Sequence, residues 1–85
     1  MKRFAYFYFM ADKPREIQEA VPKHVAYWKS LGLHEYQAGP FGDRSGGLIA
    51  FGAGNLAEAE ELVCKDPFLT DGLLAQHWLK EWTVE

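Results

Sequence analysis

Residues 3–10 read Arg-Phe-Ala-Tyr-Phe-Tyr-Phe-Met, a run that gives a strand no polar face. Rich in aromatics and bounded by Asp12-Lys13-Pro14, it predicts β structure. Side chains alternate across a strand, so Phe4, Tyr6, Tyr8 and Met10 point one way and Ala5, Phe7 and Phe9 the other. Both faces then need cover, in a chain of only 85 residues. A domain of this size buries about 60–65% of the surface its open chain exposes, so residues 1–85 make a single domain with one small core. At 48% hydrophobic and 15% aromatic residues the chain is too apolar for intrinsic disorder.

The remaining elements follow from periodicity and breakers. A helix is expected from about Pro14 to Leu31, started by a proline and stopped by Gly32. At about 100° per residue, Ile17, Val21, His24, Trp28 and Leu31 share one inward stripe about 80° wide. Pro22 lacks an N–H and is expected to kink or restart this helix. Leu33–Ala38 predicts a second strand closed by Gly39-Pro40, residues 41–47 a flexible loop, and Gly47–Phe51 a third strand. Asn55 with Glu58 three residues on has the capping-box spacing of a second helix, which must end near Asp66 because Pro67 follows. Phe68–Gly72 reads as a turn and Leu74–Val84 as the last strand. The order β-α-β-β-α-β is the split βαβ, ferredoxin-like α+β arrangement, whose helices cover one sheet face. The open apolar face predicts a homodimer packed sheet to sheet.

Charge and cysteine content narrow the function. Net charge is −3 and the nine basic residues form no stripe, which argues against nucleic acid and against an anionic membrane surface. No apolar run approaches the roughly 20 residues of a membrane span, and the N-terminal run lacks the cleavage signature of a signal peptide. A single cysteine, Cys64, rules out an intrachain disulfide and a cysteine-based zinc cage, and points to a reduced, cytoplasmic protein. Cys64 itself reads as a small packing residue near a helix end. His24, His34 and His77 show no metal-ligand spacing, so no metal is assigned. Gly52-Ala53-Gly54-Asn55-Leu56-Ala57 fits G-x-G-x-x-A, but so short a chain lacks room for paired dinucleotide-binding halves; the glycines read as punctuation before a capped helix. Ser30 and Ser45 lack any nucleophile context. A small-molecule site or a protein-interaction role remains.

His24 is the informative residue. On an apolar stripe its ring nitrogens leave water and require a partner. Asp66 follows a helix packed on the same sheet face and is held extended by Pro67. A carboxylate bonded to one imidazole nitrogen leaves the other free as a base. Tyr8 on the first strand and Arg44 in the loop are candidates to line a pocket, one as a donor and the other as a carboxylate holder. The competing reading makes His24 and Asp66 a buried structural hydrogen bond.

Lys23-His24-Val25-Ala26-Tyr27, Ala38-Gly39-Pro40-Phe41, Gly46-Gly47-Leu48-Ile49, Leu56-Ala57-Glu58-Ala59-Glu60 and Lys65-Asp66-Pro67-Phe68, followed by Asp71-Gly72-Leu73, occur in that order along nearly the whole chain. In this the sequence resembles the YCII-related (YciI-like) family. The resemblance implies a ferredoxin-like fold assembled as a dimeric α+β barrel, similar to muconolactone isomerases. It also implies an active site built on the His24–Asp66 pair and a lyase-like activity on small aromatic-derived substrates. The expected function is thus a cofactor-free lyase or isomerase transferring a proton on small aromatic-derived or enol-lactone-like acids. The alternative is a non-catalytic domain that binds a small ligand or a protein partner.

Overall fold

The computed structural model describes residues 1–85. Its elements are β1 (Lys2–Met10), α1 (Pro14–Ser30), β2 (Gln37–Pro40), β3 (Gly46–Ala53), α2 (Leu56–Cys64), α3 (Pro67–Thr70) and β4 (Leu74–Glu81). The four strands form one antiparallel sheet in the order β2-β3-β1-β4. This is the ferredoxin-like α+β fold expected from the element order. The apolar run of β1 lies at the centre of the sheet, where both its neighbours are strands.

The helices cover the sheet face that carries Phe4, Tyr6 and Tyr8, all buried. Trp28 of α1 stacks on Tyr6, with ring centroids 6.0 Å apart, and tilts against Phe51 of β3 at 5.5 Å. Tyr27 Oη donates to the Leu62 carbonyl and ties α1 to α2. On the other sheet face Phe7 stacks on Trp78 at 5.4 Å, and Phe9 meets Trp78 edge-on and Phe41 in a tilted pair. These contacts cover that face only in part, since Leu48 and Trp78 remain 38% and 37% exposed.

Several local expectations change. Pro22 neither ends nor restarts α1, which runs unbroken from Pro14 to Ser30. Pro22 lies on the exposed side, where water is available to the Gln18 carbonyl that loses its helical donor. The inward stripe is Ala20, His24 and Trp28, and Val21 is exposed at its edge. β2 forms at Gln37–Pro40 rather than Leu33–Ala38, because its register is set by pairing with β3, Pro40 lying opposite Gly47. Pro40 is tolerated there because β2 is an edge strand. β4 ends at Glu81. The segment after Asp66 is the short helix α3 rather than a plain turn. Cys64 is exposed and packs no core. Asn55 caps α2 as its spacing implied, its side-chain oxygen accepting the Glu58 N–H at 2.9 Å. No helix is long and apolar enough to cross a membrane.

Candidate functional site

Asp66 is placed by the turn between α2 and α3. Its φ and ψ of −64° and 125° are the extended conformation that a following proline imposes. The residue is the N-cap of α3, and its Oδ1 accepts the Phe68 N–H at 2.9 Å. Its own N–H donates to the Val63 carbonyl, and its carbonyl accepts from Leu69 and Thr70. Backbone and side chain are therefore fixed together, at 0% exposure. His24 comes from the middle of α1 and is 8% exposed. Its Nδ1 lies 2.7 Å from Asp66 Oδ1, so the pair expected from the sequence is formed.

The chemistry of the two groups orients the proton. Oδ1 already accepts one N–H and has lone-pair capacity for a second, which sets Nδ1 as donor and leaves the lone pair on Nε2. Phe68 fixes the ring plane, lying parallel to the imidazole with centroids 3.9 Å apart and 10° between planes. Nε2 meets the hydroxyl of Tyr8 at 3.3 Å, and in this tautomer Tyr8 donates. Burial, with the negative charge of Asp66 as the next cause, pushes the Tyr8 hydroxyl well above its usual pKa of 10.0. Tyr8 is therefore held as a proton donor. The strand register places it: Tyr8 lies opposite Gly47, and a Cβ on Gly47 would stand 2.5 Å from the hydroxyl oxygen. The glycine leaves the space in which the phenol reaches His24.

His24 and Tyr8 line a cavity of about 470 Å³ between α1, β2 and the β2–β3 loop. Ile17, Val21 and Val25 form its helical wall, Ala38, Gly39 and Pro40 its strand wall, Tyr36 lines it just before β2, and Phe68 lies beside His24. This is the size and apolar character of a small-molecule site. Arg44 also lines it, at φ 65°. A non-glycine residue in that left-handed region carries roughly 1–2 kcal/mol of strain. The loop around it carries its own hydrogen bonds. Asp43 Oδ1 accepts from the Ser45 hydroxyl and N–H, and the Arg44 N–H donates to the Phe41 carbonyl. The Ser45 hydroxyl, then its N–H, hold the Asp43 carboxyl below the usual carboxylate range.

Three of the four residues proposed from the sequence, Tyr8, His24 and Arg44, thus line one cavity, and Asp66 lies buried behind His24. Sequence reasoning missed Phe68, Lys29 and Tyr36. Phe68 had a signal, since the second residue of a helix begun by Asp-Pro is held close to its cap. Lys29 and Tyr36 had none, because the first depends on how α1 crosses the sheet and the second on where the connection enters β2. His34 and His77 are not part of the cavity wall. Three buried polar atoms, Asp66 Oδ2, Tyr6 Oη and Trp28 Nε1, have no protein partner. No three His, Cys, Asp or Glu side chains converge as metal ligands.

Residues 1–83 match the profile of the YCII-related domain. Among solved structures, the fold is similar to that of 5-chloro-2-hydroxyhydroquinone dehydrochlorinase (TftG) from Burkholderia phenoliruptrix AC1100, in complex with 2,5-dihydroxybenzoquinone. The TM-score is 0.80 at 21% identity, covering 95% of this chain and 93% of that one. Among curated proteins no significant match is found.

Proposed function

Since the chain belongs to the YCII-related family, we propose that it is a small-molecule enzyme, a lyase or isomerase that moves a proton with His24 as general acid/base. The observation that carries this reading is the 2.7 Å bond from His24 Nδ1 to Asp66, which leaves Nε2 basic at the cavity wall. His24 Nε2 takes a proton from the substrate, and Asp66 stabilises the imidazolium through the Nδ1–H bond. Tyr8, released from Nε2, donates to the substrate oxygen on which negative charge develops. Arg44 holds an anionic group of the substrate. In an isomerase the imidazolium returns its proton at another atom; in a lyase a leaving group departs. The dehydrochlorinase of similar fold favours the second outcome, since loss of hydrogen chloride combines proton removal with departure of chloride. The reading calls on no cofactor, because the dyad itself accepts the proton, and the reduced cytoplasm suits the exposed Cys64.

The experiment is turnover of 5-chloro-2-hydroxyhydroquinone and a panel of small aromatic and enol-lactone acids by the intact protein and by His24→Ala. Turnover that vanishes in a folded His24→Ala variant supports the proposal. Turnover that survives the substitution, or none on any compound, refutes it. The second reading, a non-catalytic binding or interaction domain, is favoured by Asp66 itself, which is fully buried and caps α3. It expects His24→Ala to lose stability with no activity to lose.

The assembly proposed is a homodimer closed through the outer sheet face, the dimeric α+β barrel. Phe7, Phe9, Leu48 and Trp78 supply the apolar surface for it. Sedimentation should give a dimer at micromolar concentration and a monomer for Trp78→Glu; a monomeric parent chain overturns this part.

A further inference from the structure

Asp66 Oδ2, Tyr6 Oη and Trp28 Nε1 are polar, buried and without a partner in the chain. Their residues are 0%, 0% and 1% exposed, so bulk solvent does not reach them. A buried polar group in this state is costly and requires a partner. The three belong to one neighbourhood. Trp28 follows His24 by one turn on the buried stripe of α1, and Tyr6 precedes Tyr8 by two residues on the same face of β1. Helix and strand therefore meet in two successive rungs. Tyr8 Oη reaches His24 Nε2 at 3.3 Å, and the Tyr6 ring stacks on Trp28 with centroids 6.0 Å apart. The rungs adjoin, the rings of Tyr6 and Tyr8 being 5.3 Å apart. Asp66 joins the first rung through Oδ1, which serves both His24 and the Phe68 N–H. Its charge is felt at the second: burial, and next Asp66, push the Tyr6 hydroxyl well above its usual pKa of 10.0.

The three atoms make no direct bond with one another, yet they are complementary through one intermediary. An indole N–H only donates, a carboxylate oxygen only accepts, and a phenol does both. A water molecule can accept from Trp28 Nε1–H and from Tyr6 Oη–H while donating to Asp66 Oδ2. About three such bonds are the usual complement of an internal water. The donor set disfavours a cation and the carboxylate an anion. Enclosure among side chains less than 2% exposed limits the occupant to a small neutral molecule.

We propose that the core binds one ordered water between Asp66 Oδ2, Tyr6 Oη and Trp28 Nε1, which makes Tyr6 and Trp28 positioning residues of the His24–Asp66 pair. The water gives Oδ2 a donor and ties the carboxylate to α1 and β1 as well as to α3. Both oxygens are then held, and Oδ1 stays in line with His24 Nδ1. None of the three residues lines the cavity, so the water sits on the far side of the pair from any substrate. The site stands whether or not the pair is catalytic.

The test is NMR on the intact protein and uses no substrate, so its outcome is independent of turnover. Water-selective Overhauser spectra of the parent chain should show a dipolar contact between a long-lived water and the Trp28 Nε1–H. No such contact overturns the proposal. Tyr6→Phe keeps the ring and removes one of the three partners, so the contact should weaken. The His24 Nδ1–H, which reports the bond to Asp66, should then exchange with solvent about tenfold faster, the factor expected for one lost hydrogen bond to a charged group. Ala59→Gly, which weakens the buried face of α2 without removing a polar partner, is the control and should leave that proton's protection relative to the core amides unchanged. Equal acceleration in Ala59→Gly, or none in Tyr6→Phe, overturns the positioning role. Should Tyr6→Phe fail to fold, Trp28→Phe removes the indole donor and is read by the same His24 proton, with the same two outcomes.

Discussion

Replacing Asp66 by alanine tests the centre of the site through stability, without knowledge of any substrate. Oδ1 accepts two buried donors, the His24 Nδ1–H at 2.7 Å and the Phe68 N–H at 2.9 Å. Alanine strands both. A buried donor left without an acceptor costs roughly 1–3 kcal/mol, so the two together cost about 2–6 kcal/mol. Removing a buried carboxylate whose Oδ2 has no protein partner returns part of this. A net loss of about 2–5 kcal/mol is expected, against roughly 4–13 kcal/mol for a whole domain of this length. Urea denaturation followed by tryptophan fluorescence reads it directly: with a slope of about 1–2 kcal/mol per molar, the midpoint falls by about 1–5 M. Asp66→Asn keeps one acceptor oxygen and should lose about half as much. A loss in Asp66→Ala below about 1 kcal/mol would refute the claim that this carboxylate holds both α1 and α3.

Gly47→Ala puts a methyl 2.5 Å from the Tyr8 hydroxyl, so it should cost about 1–3 kcal/mol in thermal melting and displace the phenol from His24; a neutral substitution would show that the hydroxyl is placed otherwise. Pro22→Ala restores a donor to the Gln18 carbonyl in the exposed middle of α1, and should stabilise the fold by about 1–3 kcal/mol in chemical denaturation; a loss of stability would mean that the proline shapes the helix. In alkali the signs follow from linkage. Burial raises the hydroxyls of Tyr6 and Tyr8 above the 10.0 of the unfolded chain, so the unfolded state releases these protons first. Their stabilisation is whole below pH 10 and is lost as pH rises from there through the folded-state values. The urea midpoint should drop above pH 10, and less steeply in Tyr8→Phe; a flat profile contradicts the burial of these phenols.

The His24–Asp66 pair was legible before any coordinates because each residue violates its local pattern. His24 is a polar group on an apolar helical stripe, and Asp66 stands where a proline forces an extended cap. Both anomalies require a partner, and the ferredoxin-like order puts the two helices on one face. Tyr8 and Arg44 were legible as chemistry but not as geometry. The role of Tyr8 depends on the β1–β3 register that sets Gly47 against it, and that of Arg44 on a loop conformation glycine-rich sequence does not specify. The same limit explains the displaced β2, since an edge strand takes its position from the neighbour it pairs with.

The doubly apolar β1 was decided by sequence alone: alternation put one aromatic face against the helices and left the other, with Phe7 and Phe9, for something else. Alternation and helical period are local properties, so they declare which side chains must be buried and which polar ones need a partner. Tertiary structure decided which partners they find. The 3.3 Å contact of Tyr8 with His24, the parallel stacking of Phe68 on the imidazole, and the convergence of Lys29 and Arg44 on one cavity all bring together residues distant in sequence. Such contacts depend on strand register and on how α1 crosses the sheet, and both are set by the packing of the whole chain.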